Sequence, residues 1–189
     1  MLEKDFERIE ITGKYPLLEK LLSVFRTEGE LNPILAGYVS KVFCTLIDKY
    51  KLRLWKYFQT YQENLEALLK KADDQSVITM ITRLMETIYG DSNDPEFINQ
   101  KQSLIKKLIE DIDENTIEGR YNLLISFING KVEITYFMSE EIVNLLYQFV
   151  EKNTIFGLKL IKALIEAYNS EKPKPIQENE GSRLLNNTT

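Results

Sequence analysis

The sequence predicts an all-α fold of stacked helical repeats, an α-solenoid of the HEAT or armadillo kind, with an irregular helical bundle as the alternative. Three observations carry that prediction. Apolar residues recur at three- and four-residue spacing along almost the whole chain, which is the period of an amphipathic helix. Breakers are few: 8 glycines and 5 prolines in 189 residues cannot supply the turns of a sandwich or barrel. Helix-start signals at Asn32, Asp74 and near Asn115 and Asn153 fall about 40 residues apart, the beat of helical units that bury their faces only by stacking.

Residues 1–13 place Leu2, Phe6 and Ile9 at helical spacing and close on Gly13. Pro16 then marks a helix start, Leu17, Leu18, Leu21, Leu22 and Phe25 make a stripe, and Gly29 is a stop, so 15–28 reads as a helix. The next helix, 32–50, is the most apolar. Asn32 can accept from free amides at the helix start, and Pro33 follows where a missing N–H costs nothing. Apolar pairs recur along it from Ile34–Leu35 to Leu46–Ile47. Ala36, Ser40 and Cys44 form a row of small residues that would let another helix come close. Only Lys41, Thr45, Asp48 and Lys49 remain for water, so the reading is an inner helix covered on more than one side.

Leu52 and Trp55 suit a short helix, and Leu65, Leu68 and Leu69 mark another over 61–72. Asp73 and Asp74 can cap a helix over 75–89, whose stripe is Val77, Ile78, Ile81, Leu84, Met85 and Ile88. Gly90 to Pro95 is a turn, with Asp94 as a further cap, before a helix over 95–111. A helix from Ile117 ends near Gly130. Lys131 to Phe137 alternates like a strand, but a lone strand has no partner here, so it reads as loop. Ser139 caps a helix over 140–152, and 153–168 is the last. Residues 1–170 read as one helical domain, and 171–189, with Pro173 and Pro175 among polar residues, as a disordered tail.

Composition excludes several function classes. A net charge of −5 argues against a protein that lives on phosphate contacts with nucleic acid. The chain has no histidine, which removes Ser-His-Asp and Cys-His catalysis and every zinc site that needs imidazole. Cys44, the single cysteine, sits on an apolar helix and reads as a buried thiol rather than a nucleophile. No run reaches the ~18 apolar residues of a membrane span, and the N-terminus lacks a signal-type apolar run. The expected compartment is the cytoplasm, with the nucleus as a second one.

Candidate chemistry is sparse, and no cofactor or metal is expected. Asp73 and Asp74 point about 100° apart on a helix, which suits capping better than paired catalysis. Asp111, Asp113 and Glu114 lack the glycine and terminal glutamate of a calcium loop. Lys101, Lys106 and Lys107 read as one solvated basic face. Trp55, Tyr57, Phe58 and Tyr61 read as core at a helix corner, with one or two as candidate partner anchors.

The segment LNPILAGYVSKVF, Leu31 to Phe43, resembles the L-N-P-L-L-A-x-x-x-S-K-V segment of the SAPS-domain proteins, regulatory subunits of protein phosphatase 6-type serine/threonine phosphatases. Gln75 to Met85, QSVITMITRLM, is similar to the family's S-A-I-x-D-L-L-L-R-L-L: Arg83 and Leu84 match, Gln75 replaces the serine and Thr79 the acidic residue. Leu17–Phe25 and Trp55–Lys71 follow the family's order, and Ile98–Ile112 and Glu141–Tyr168 match in apolar pattern and position alone, so the resemblance runs over roughly 15–170. It implies a non-catalytic subunit that binds a phosphatase catalytic subunit and directs it to substrates. It also makes Lys41 and Arg83 the first candidates for partner contact, Arg83 through bidentate bonding. Without the resemblance, the residues point to a helical-repeat adaptor for a peptide or protein partner in transport or trafficking.

Overall fold

The computed structural model describes residues 15–87, 95–110, 112, 114–130, 132 and 134–171, and every regular element among them is helical. In chain order these are α1 (Pro16–Leu22), a 3₁₀ turn (Ser23–Arg26), α2 (Pro33–Thr60), α3 (Gln62–Leu69), α4 (Gln75–Thr87), α5 (Pro95–Glu110), α6 (Ile117–Asn129), a second 3₁₀ turn (Ile134–Phe137), α7 (Glu140–Lys152) and α8 (Thr154–Glu171). The helically spaced residues 1–13, the turn around Asp94, the carboxylates Asp111 and Asp113, and the tail beyond Glu171 lie outside the described residues.

Local chemistry places the helix starts where the caps predict them. Asn32 Oδ1 accepts from Ile34 N at 3.1 Å and Leu35 N at 3.2 Å. Asp74 Oδ1 accepts from Ser76 N at 2.7 Å, and Ser139 Oγ from Ile142 N at 3.3 Å. Each satisfies a donor that the first helical turn leaves free. Gly29 stops the first segment at φ +84°, a conformation that costs a side-chain-bearing residue energy. α2 is broken at Lys51, where φ is 27° and ψ −103°. Its two arms, 33–50 and 52–60, fold back on each other so that Phe43 and Phe58 meet at 5.8 Å between ring centroids. The segment 131–137 forms no strand in its described residues. Its 3₁₀ turn instead buries Ile134, Tyr136 and Phe137.

The helices stack in two layers. In the first, arm 33–50 of α2 packs on α4, α4 on α6, and α6 on α8. Their starts keep the repeat of about 40 residues seen in the sequence. The second layer holds arm 52–60 with α3, then α5, then α7. Trp55 Nε1 donates to Gln100 Oε1 at 2.5 Å, Lys107 pairs with Glu66 at 2.7 Å, and Lys106 pairs with Glu141. A continuous core runs between the layers, from Phe25 and Phe43 through Trp55, Ile81 and Leu108 to Phe127 and Leu164. The small-residue row works as its spacing suggests: Ser40 Oγ donates to the Ser76 carbonyl at 3.0 Å, bringing α2 close to α4.

Two expectations need correction. The helix over 33–50 is covered by α4 and by arm 52–60, but Lys41, Thr45, Asp48 and Lys49 are not all that it leaves to water. Ile34 is 73% exposed and Tyr38 66%, and Leu35 and Val42 are also open. Helical rotation of about 100° per residue puts this row on the flank turned away from α4, because Gly37 and Ser40 face Ser76. Nor is Lys101 part of a solvated basic face. It is 1% exposed, with Nζ 4.7 Å from the Tyr136 ring centroid and 3.4 Å from its hydroxyl. Lys101 precedes Leu104, Ile105 and Leu108 by three, four and seven residues, so it belongs to the buried stripe of α5. An aromatic ring face takes the place of part of the ammonium's water.

A polar cluster ties α1 to the second layer. Glu19 accepts from Tyr57 Oη, from Arg26 and from Asn64 Nδ2, the last at 3.1 Å, and Asn64 also donates to Tyr57 Oη at 2.5 Å. Burial alone would raise the Glu19 carboxyl, but the three hydrogen bonds outweigh it and hold its pKa below the usual value. Tyr57 is pushed upward, by burial first and then by the carboxylate it serves. A carboxyl lowered in the folded state adds stability above its unfolded pKa, and that stability is lost as pH falls through the folded one. The urea midpoint is therefore expected to fall on acidification below about pH 4, the unperturbed carboxylate range, and Glu19→Gln should flatten that fall. An unchanged acid slope in Glu19→Gln would count against the role given to this cluster.

Candidate protein-docking surface

Arm 33–50 and α4 carry both residues singled out from the sequence. Lys41 is exposed beside the open row of Ile34, Tyr38 and Val42. Arg83 lies on α4 and turns to its neighbour: Nε donates to Asp48 Oδ1 at 2.8 Å and Nη1 to Glu86 Oε2 at 3.3 Å. These bonds raise the guanidinium pKa, the one to Asp48 most, and link the first two helices of the layer. Lys41 stands on arm 33–50 and Arg83 on α4, where its ion pairs are with Asp48 and Glu86. Thr79, where the resembling family carries an acid, is exposed and bonds its hydroxyl back to the Gln75 carbonyl at 2.8 Å. Cys44 lies half-buried between Ser40 and Asp48, its thiol pKa raised chiefly by burial.

The other chemical candidates resolve into structure. Asp74 is a helix cap. Trp55, Tyr57 and Phe58 are fully buried, and Tyr61 packs partly buried against Tyr57 and Tyr15. Among the described residues, no group of three or more Cys, Asp or Glu side chains is placed to hold a metal ion, and no helix is long and apolar enough to cross a membrane.

A second surface was missed by reading the sequence. At the far end of the stack, α7 and α8 enclose an apolar groove of about 270 Å³, lined by Met138, Val143, Tyr147, Ile161, Ile165 and Tyr168 among others. Tyr147 is 64% exposed. Ile155, Leu158 and Ile165 continue the open surface along the flank of α8 turned away from α6. Helical period finds such a stripe but cannot say whether a neighbour covers it. Contiguous exposed apolar surface of this kind is where proteins dock.

No protein-family model matches the chain, and no solved structure matches it significantly. Two curated proteins do. The chain is 25% identical over 108 residues to the chicken (Gallus gallus) serine/threonine-protein phosphatase 6 regulatory subunit 3. It is 23% identical over 108 residues to the human (Homo sapiens) serine/threonine-protein phosphatase 6 regulatory subunit 1. In both, the match takes in 56% of this chain and 12% of the relative, so it spans a small part of each relative's length.

Proposed function

We propose that this chain is a non-catalytic regulatory subunit that binds a phosphatase 6-type serine/threonine phosphatase catalytic subunit and directs it to substrates. The observation that carries this reading is the similarity to two phosphatase 6 regulatory subunits, borne on a two-layer helical stack. Stacked helices suit such work because they present extended surfaces on a rigid frame. In this reading Lys41 meets the partner directly, while Arg83 orients the α2–α4 edge through Asp48. Its place of action is the cytoplasm, with the nucleus as a second site.

Affinity capture from the source cells with the full chain as bait should recover a serine/threonine phosphatase catalytic subunit. Lys41→Glu is expected to weaken that capture, since reversing a rim charge costs several-fold in association. Recovery of no phosphatase by a folded bait would overturn the reading. A second reading is an adaptor for a peptide or protein partner, and the open groove between α7 and α8 favours it. An amphipathic helix laid in that groove would bury its apolar face. Tyr147→Asp would abolish binding in that case and leave phosphatase capture through Lys41 intact.

A further inference from the structure

α2 is written in helix-forming residues across its own break. The stretch from Asp48 to Leu54, DKYKLRL, holds neither glycine nor proline, and lysine, leucine and arginine rank among the better helix formers. Yet Lys51 stands at φ 27° and ψ −103°, a left-handed backbone that glycine adopts freely and that strains a residue with a Cβ. Among the described residues it alone, glycine aside, has a positive φ. Local preference therefore favours a continuous helix, and the bend is imposed by the rest of the fold.

What imposes it is packing between the elements before Lys51 and those after it. Phe43 and Phe58 would lie about 22 Å apart along a straight helix. Their ring centroids are 5.8 Å apart. Ser40 Oγ donates to the Ser76 carbonyl at 3.0 Å, Arg83 Nε donates to Asp48 at 2.8 Å, and Tyr57 and Asn64 both donate to Glu19. Each contact joins α1 or arm 33–50 to an element beyond the break, and none involves Lys51 itself. A second copy can supply either half of every one in the same geometry.

We propose that Lys51 is a strained hinge through which two copies of the chain exchange α1 and arm 33–50. In the exchanged dimer α2 straightens into one helix of 28 residues, about 42 Å long, and its first arm packs on arm 52–60 and α4 of the other copy. The exchange keeps the contacts above and removes the strain at Lys51. It costs the freedom of a second molecule, so it grows with protein concentration. It does not depend on the phosphatase reading.

The full chain, warmed at high concentration to just below its melting point and then cooled, should yield a dimer by size-exclusion chromatography with light scattering. Lys51→Gly relieves the bend and weakens the straight helix, so its dimer fraction should fall at least about tenfold, while Lys51→Ala should dimerise as readily as the unsubstituted chain. A disulfide staple separates exchange from surface contact. A Cβ at Gly37 would stand 4.0 Å from Ser76 Oγ, so Gly37→Cys with Ser76→Cys, in a Cys44→Ser background, can be bridged across the two halves. With that bridge closed within one chain, the same treatment should give monomer alone, and after reduction the dimer should return. A dimer formed with the bridge closed would place the contact on the outer surface and overturn the proposal. So would the absence of a dimer from the unsubstituted chain, or equal dimer fractions in Lys51→Gly and Lys51→Ala.

Discussion

Replacing Trp55 by alanine is expected to destabilise the protein by about 3–5 kcal/mol, the usual range for emptying a buried aromatic site. The side chain is 0% exposed and sits on arm 52–60, where that arm meets α5. Its loss removes a large apolar area, leaves a cavity between two elements, and deprives Gln100 Oε1 of a donor at 2.5 Å. Against total stabilities of about 5–15 kcal/mol, this is a large share. Trp55→Phe keeps most of the volume and should cost clearly less. Urea unfolding followed by far-ultraviolet circular dichroism measures both variants, since Trp55 is the single tryptophan and its fluorescence disappears with it. A Trp55→Ala midpoint equal to that of the unsubstituted chain would show that this arm is not held by the layer contact.

Gly119→Val should cost about 3 kcal/mol by overpacking. A Cβ at Gly119 would stand 2.8 Å from Asp73 N and 2.9 Å from both the carbonyl carbon and oxygen of Ala72. Those are backbone atoms of the turn that also caps α4, so no side chain can swing away to make room. Ordinary helix propensity works the other way, favouring alanine over glycine by up to about 1 kcal/mol. The contact outweighs it, and Gly119→Ala should therefore also destabilise, though less than valine. An alanine variant with a raised melting temperature would mean that α6 and the 70–74 turn are free to separate.

The helices were legible because their signals are local. Asn32, Asp74 and Ser139 announce helix starts through their own side-chain chemistry, and each makes the expected bond. The beat of about 40 residues was legible because helix starts are marked locally, while the choice between a stack and an irregular bundle was not. What stayed hidden depends on neighbours distant in sequence. Lys101 was grouped with Lys106 and Lys107 by charge, although its spacing to Ile105 and Leu108 is that of the core. Tyr136, 35 residues on, makes its burial tolerable. The apolar pairs of α2 likewise reveal two rows, while only the partner helices decide that one is covered and the other open. Arg83 shows the same limit: its engagement with Asp48 cannot be read from its own segment.

The position of Cys44 gives the protein a built-in reporter. It is the single thiol in the chain, half-buried where α2 approaches α4, with burial keeping it in its protonated, slow-reacting form. Its rate of labelling by a disulfide reagent therefore depends on how closely the first two helices of the layer cover it. Partner binding or substitution at this edge can be followed on the unmodified protein as a change in that rate, with no added probe.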